Sequence, residues 1–193
     1  MGVMSLNTIQ PNLVPNLPFD PIKDFTPVNL VASVPHFIVV PPSLGVNTVR
    51  ELIEYAKKNP GKISYPSAGT GTSSHLGGEM FRLQAGNLNM VHIPYKSAGH
   101  SMPDLLAGRV HVGFETLPTT VAYVRSGRLK ALAVTTPKRL ADFPSVPTAM
   151  ESGLPDYQLR TWYGVFAPAG TPEPIVKRLH AGAREARLPK GSF

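Results

Sequence analysis

The chain predicts an α/β fold: a mostly parallel sheet flanked by helices. Three observations carry this. Segments rich in β-branched residues alternate with segments of helical apolar spacing. Short loops punctuated by 21 prolines and 17 glycines separate them. A Gly-rich stretch, YPSAGTGTSSHLGGEM at residues 65–80, lies where a strand gives way to a helix.

The elements follow in order. Residues 1–40 carry Pro11, Pro15, Pro18, Pro21, Pro27 and Pro35 and read as an extended arm, with one or two strands in VNLVASV and HFIVV at 28–40. A helix starts at Asn47 or Thr48, where Thr48 and Glu51 form a capping box. Val49, Leu52, Ile53 and Ala56 make its apolar stripe, and Pro60-Gly61 ends it. A short strand at 63–65 runs into the Gly-rich stretch, and Leu76, Met80 and Leu83 continue at helical spacing to Gly86. Beyond it the spacing predicts strands at 90–93, 110–114, 129–135 and 157–166. Helices are predicted at 101–107, 119–125, 148–152 and 172–186.

Composition excludes several functions. The 193 residues, 42% of them apolar, suffice for a buried core. The absence of cysteine removes disulfides, thiol nucleophiles and Cys-ligated metals. A net charge of +7 favours anionic partners. The basic residues are scattered, with no run of four, which argues against nucleic acid. No apolar run reaches the length of a membrane span. The N-terminus lacks the basic segment of a signal peptide.

The Gly-rich stretch has the chemistry of an anion seat. A helix N-terminus presents unsatisfied N–H groups and partial positive charge. Glycines allow close backbone approach, and Thr and Ser add donors. Neither nucleotide pattern is complete: no lysine follows the glycines, and Gly69-x-Gly71-x-x-Ser74 has Ser at the third glycine position. A carboxylate or other small oxyanion fits better. The spacing alone equally allows a turn shaped by Gly69 and Gly71, with Thr72 or Ser73 capping the helix. A second loop, HIPYKSAG at 92–99, offers Tyr95 and Lys96, or only a packed tyrosine and a solvated lysine. At a third strand end, Glu115 or Thr116 caps the helix that follows.

No catalytic pattern stands out. Ser73, Ser74 and His75 are adjacent on one helical turn and do not face one another. There is no Gly-x-Ser-x-Gly elbow, no His-Glu-x-x-His and no metal-ligand spacing. No enzyme activity and no cofactor are expected.

Taken together, LPFDPIKDFTPVNLVASVP, ISYPSAGTGTSSHLGGEMF, VHIPYKSAG, DLLAGRVHVGFETLP, GRLKALAVTTPKR and PSVPTAMESGLPDYQLRTWYGVFAPAGTP resemble the tripartite tricarboxylate transporter substrate-binding family, the Bordetella uptake gene receptors, over residues 7–186. The resemblance implies a periplasmic solute receptor of two α/β lobes. It would close on a small carboxylate and deliver it to membrane transporter subunits. By motif, Ser67, Ala68, Gly69, Thr70, Gly71, Thr72 and Ser73 would form the carboxylate loop of the second lobe, and Tyr95, Lys96 and Ser97 would border the cleft. Glu115 stands where the family commonly has Asp, and Ser97 replaces a common Gly. The resemblance also implies truncation at both ends: the first lobe's opening strand and Gly-rich loop are absent. The tail, residues 188–193, has no counterpart. Residues 41–156 would then be a second lobe, with 1–40 and 157–193 supplying crossing strands and parts of the first. Competing expectations are a non-binding truncated product and an α/β enzyme acting on a small acid. Surface built for a missing partner would favour self-association.

Overall fold

The computed structural model describes residues 1–185. The chain divides into two compact units, one of Val34–Arg160 and one of Met1–Ser33 together with the chain from Thr161 onward. The sequence reading had set these divisions at 40/41 and 156/157.

In the first unit, β1 (Gly2–Val3) pairs antiparallel with β7 (Arg160–Pro168), which lies between β1 and β2 (Phe25–Val40). The arm expected to be extended over residues 1–40 is extended at 25–40 but coils near its start. A π-helical turn at Ser5–Ile9 leads into a 3-10 turn at Gln10–Asn12. The first proline is Pro11, so the preceding residues are free to coil, and Pro11 occupies an early helical position that needs no N–H. Helix α5 (Glu173–Glu185) has no buried residue, and His180 Nδ1 lies 2.6 Å from the Val28 carbonyl. Ala186, the expected last residue of this helix, and the tail from 188 lie outside the described residues.

The second unit holds β2's last residues, α1 (Val49–Lys58), β3 (Ile63–Ser67), α2 (Ser73–Gln84), β4 (Met90–Pro94), α3 (Ala98–Leu106), β5 (Gly113–Thr116), α4 (Leu117–Arg125) and β6 (Lys130–Val134). The strands form two sheets, β3 with β4 in one and β2, β5 and β6 with β1 and β7 in the other. β3 and β4 are parallel, while β2 runs antiparallel between β5 and β6. β5 and β6 therefore run the same way, as helical crossovers demand, with β2 reversed between them. β3 reaches β5 through the Ser64 carbonyl, which accepts from the His111 and Val112 N–H groups at 2.9 and 3.2 Å.

Of the one or two strands expected over 28–40 there is one, Phe25–Val40, and its end explains the core. In HFIVV, Phe37 and Val39 enter one apolar cluster with Leu105, Val134 and Phe143, while Ile38 and Val40 enter the other with Leu52, Phe81 and Phe114. A strand covered on both faces reads as a continuous apolar run. α1 starts as its capping box dictates: Thr48 Oγ1 accepts the Glu51 N–H at 3.1 Å, and Glu51 reaches back to the Asn47 N–H at 2.6 Å. The expected helix at 148–152 is a turn. Thr148 and Glu151 bond reciprocally, but Gly153 adopts φ +97° and Pro155 follows, so the turn does not propagate.

Helix α2 lies tight on the sheet at Gly77 and Gly78. A Cβ at Gly78 would overlap the Tyr65 ring, and one at Gly77 would come within 2.9 Å of the Leu159 and Phe114 side chains. Tyr65 and Phe114 meet edge to face at 5.9 Å, and Phe81 of α2 sits 5.3 Å from Phe114. Gly78→Ala is therefore expected to cost about 1–3 kcal/mol through overpacking, measured as a lowered urea midpoint with an unchanged slope.

Candidate functional site

β3 is buried along its whole length and delivers Ser67 to the start of the Gly-rich turn. Gly69 and Gly71 adopt φ +119° and +78°, a region that side chains rarely enter, so the turn requires glycine at both. Side chains then fix the turn from within. Ser67 Oγ accepts the Gly69 N–H at 3.1 Å, Ser74 Oγ accepts the Ala68 N–H at 3.1 Å, and His75 Nδ1 accepts the Gly71 N–H at 3.4 Å. Thr72 donates twice to the Gly69 carbonyl, from N at 3.3 Å and from Oγ1 at 2.6 Å.

Thr72 occupies the N-cap of α2, but its hydroxyl turns back into the loop and caps nothing. The N–H groups of Ser73, Ser74 and His75 are the first-turn donors that an α-helix leaves without intrahelical partners. Thr70 at the tip is exposed. The loop amides thus sort into two sets. Those of Ala68, Gly69, Gly71 and Thr72 hold the shape, and those of the first helical turn are presented.

The second loop is tied to the first, since the Tyr95 N–H donates to the Ser67 carbonyl at 3.0 Å. The Tyr95 hydroxyl is committed elsewhere, to Asp104 Oδ2 at 2.7 Å, while Asp104 Oδ1 takes the Arg109 guanidinium at 2.8 Å. Burial, and then the bond to Asp104, raise the Tyr95 hydroxyl above its ordinary pKa. The Lys96 ammonium is exposed and has no ion pair among the described residues. Ser97 sits at the N-cap of α3, with its hydroxyl on His100 Nδ1 at 2.7 Å rather than on the backbone.

Glu115 is placed differently from the loop residues. It is 3% exposed on β5, opposite Phe37 of β2, and its Oε1 meets no partner. Burial pushes its carboxyl up to about 7. Neither it nor Thr116 caps α4 through its side chain, although Thr116 holds the N-cap position.

Four residues given no role in the loop by the sequence matter to it: Ser74, His75, His92 and His36. His92 Nε2 lies 2.7 Å from Ser67 Oγ, and His36 Nε2 lies 3.2 Å from Ser73 Oγ. Their distance along the chain from the loop hid the last two. The Ser73–His36 contact has the form of a nucleophile and its base, but burial lowers His36 to about 4 and its ring is fully enclosed. Such a ring is a poor base at neutral pH and serves here to hold Ser73.

The two buried titrations oppose each other. His36 falls from 6.5 to about 4, so the stability it contributes is present above 6.5 and is lost as pH falls through 4. Glu115 rises from 4.5 to about 7, so its contribution is present below 4.5 and is lost as pH rises through 7. Over the shared range the slopes cancel. Glu115→Gln should therefore gain roughly 2 kcal/mol at pH 7.5 over its effect at pH 5, read from urea unfolding of both chains at both pH values.

Comparison with known proteins places the chain. Residues 1–190 match the model of the tripartite tricarboxylate transporter family receptor. The match extends beyond residues 7–186 and into the tail from 188 that showed no counterpart by sequence reading. Protein BugT of Bordetella pertussis is 36% identical over 176 residues, 91% of this chain and 53% of BugT. The solved structure of R. palustris Rpa4515 with adipate superposes with a TM-score of 0.88 at 35% identity, covering 94% of this chain and 60% of that one. MatC (Rpa3494) from Rhodopseudomonas palustris with bound malate gives 0.87 at 30% identity, covering 96% and 63%. The chain spans about half the length of the curated relatives it matches. It belongs to the tripartite tricarboxylate transporter family of receptors.

Proposed function

We propose that this chain binds a small carboxylate, of the C4 to C6 dicarboxylate type, as the second lobe of an extracytoplasmic solute receptor. The observation that carries the reading is the uncapped first turn of α2 at the end of β3, with the glycine turn braced behind it. Oriented N–H groups at a helix N-terminus satisfy a carboxylate without any charged residue. The Lys96 ammonium, one loop away, adds positive potential. Family members solved with adipate and with malate support the same solute class.

In this reading Ser67, Ala68, Gly69, Gly71 and Thr72 shape the seat. Thr70, Ser73 and the amides that follow face the solute. Tyr95, Lys96 and Ser97 border it, and Glu115 acts from within the sheet rather than by contact. The partners would be membrane transporter subunits and the location periplasmic, both taken from the family. No catalysis is needed for this role.

A second reading, a piece that associates with itself instead of binding, draws on one observation. Leu6, Leu13, Val14, Ile22, Leu30, Val31, Ile175 and Leu179 are all exposed, and all lie in the smaller unit. Exposed apolar side chains in this number favour a second copy over water. Light scattering on a sizing column should show a dimer or larger species at high concentration, and a monomer at every concentration removes this reading.

A thermal-shift series decides the first reading. Adipate or malate at ~100 times its dissociation constant should add roughly 2.7 kcal/mol of stability, while a neutral diol of equal length adds nothing. A cooperatively melting sample that no dicarboxylate stabilises overturns the proposal.

A further inference from the structure

Two histidine rings, neither of them among the proposed solute contacts, stand behind two of the hydrogen bonds that shape the loop. His75 comes from α2 and His92 from β4, and their rings face each other with centroids 4.3 Å apart, tilted by 40°. His75 Nδ1 accepts the Gly71 N–H, so that nitrogen carries no proton. The His92 side reaches Gly69 through a relay. Ser67 Oγ already accepts the Gly69 N–H, and the Ser67 proton finds an acceptor in His92 Nε2 at 2.7 Å. The opposite direction would leave the serine proton without a partner. The Gly71 amide is thus held directly by an imidazole nitrogen that accepts only while unprotonated, and the Gly69 amide by a serine hydroxyl whose proton rests on a second such nitrogen.

We infer that the His75–His92 pair is a proton-sensitive positioning device, which withholds the Gly69 and Gly71 amides from an anion when neutral and loosens one of them when one ring is protonated, Gly71 through His75 and Gly69 through His92. Protonation at His75 Nδ1 breaks its bond to Gly71. Protonation at His92 Nε2 reverses the relay and weakens the hold on Gly69. Either event also places a positive charge behind the loop, and both changes favour an anion in front of it. Two like charges at this spacing repel, so the pair takes up one proton and not two.

The groups set against the pair are few. Tyr65 from β3 stacks on His92 at 5.1 Å, and its hydroxyl donates to Glu79 Oε1 at 2.5 Å. Glu79 of α2 also pairs with Arg82 at 2.9 Å. Burial, and then the neighbouring His75, lower the His92 pKa, and the Glu79 carboxylate opposes them. The His92 ring is therefore held neutral to lower pH than an ordinary imidazole. By reciprocity, a solute that prefers the charged pair draws a proton in as it binds.

This inference rests on the carboxylate reading for its consequence but not for its wiring, so the test has two arms. In the first, backbone amide NMR follows the unliganded full chain from pH 8 to pH 5. The Gly69 and Gly71 resonances should titrate together with the His75 and His92 rings, and the Gly71 shift should vanish in His75→Asn, whose side-chain oxygen accepts but cannot be protonated. Glycine amides that stay still while the rings titrate overturn the proposal. In the second arm, calorimetry with adipate and malate at pH 8 and pH 6 should show roughly ten-fold tighter binding at pH 6, as for about half a proton taken up per solute, with heats that depend on buffer ionisation. The double variant His75→Asn/His92→Gln should lose this dependence, and it controls for protonation of the solute itself. Binding that varies equally in parent and variant overturns the coupling. Titrating glycine amides with no binding at either pH would instead overturn the carboxylate reading and leave the wiring standing.

Discussion

The seat of α2 on the sheet is the constraint from which the rest follows. Two adjacent glycines remove the side chains that would otherwise hold the helix away from the ring of Tyr65 and from Phe114. The helix then lies close enough for Phe81 to join the aromatic cluster, and Tyr157 closes over it by donating to the Gly77 carbonyl at 2.8 Å. This contact fixes where the helix begins. Its first turn arrives at the end of β3, where Ser74 and His75 can reach back to hold the amides of Ala68 and Gly71. Packing in the core and geometry at the loop are one arrangement.

The loop illustrates how a polar site can be rigid without charge. Each bond within it is ordinary, worth about 1 kcal/mol net, but they act on Ala68, Gly69, Gly71 and Thr72, whose backbone two glycines have already bent. Ser67 has the widest reach. Its hydroxyl meets Gly69 and His92, and its carbonyl takes the Tyr95 N–H, so one residue sets both loops. The larger side chains nearby are committed elsewhere: Tyr95 to Asp104, Ser97 to His100, Glu115 to the interior of the sheet.

Much of the fold was legible in the sequence because its signals are local. The Thr48–Glu51 capping box, the stripe of α1, and the Gly-rich turn between strand and helix each lie within a few residues, and each formed as read. The misses come from effects without local signature. Thr148 and Glu151 make the same reciprocal bonds as a helix start, yet Gly153 stops the turn. The reversal of β2 depends on which strands it joins, not on its own residues. At the site, the glycines and hydroxyls announced the loop, but His92 and His36 reach it across the sheet, and nothing in their immediate neighbours marks them. Glu115 read as a helix cap because it stands at a strand end before a helix, while its position opposite Phe37 buries it.

The order of the two units along the chain has a consequence for how the protein is made. Val34–Arg160 is one unbroken segment, inserted between the two halves of the other unit. Its strands and helices find their neighbours within that segment, so it can condense on the ribosome as soon as its own residues have emerged. The smaller unit cannot. β1 and the first half of β2 are synthesised early and must wait for β7, with the whole of the inserted segment between them. During that interval an open strand edge is available to any similar chain nearby. Assembly of this unit is therefore limited by loop closure over the longest separation in the fold, and it is the stage most open to exchange of strands between copies.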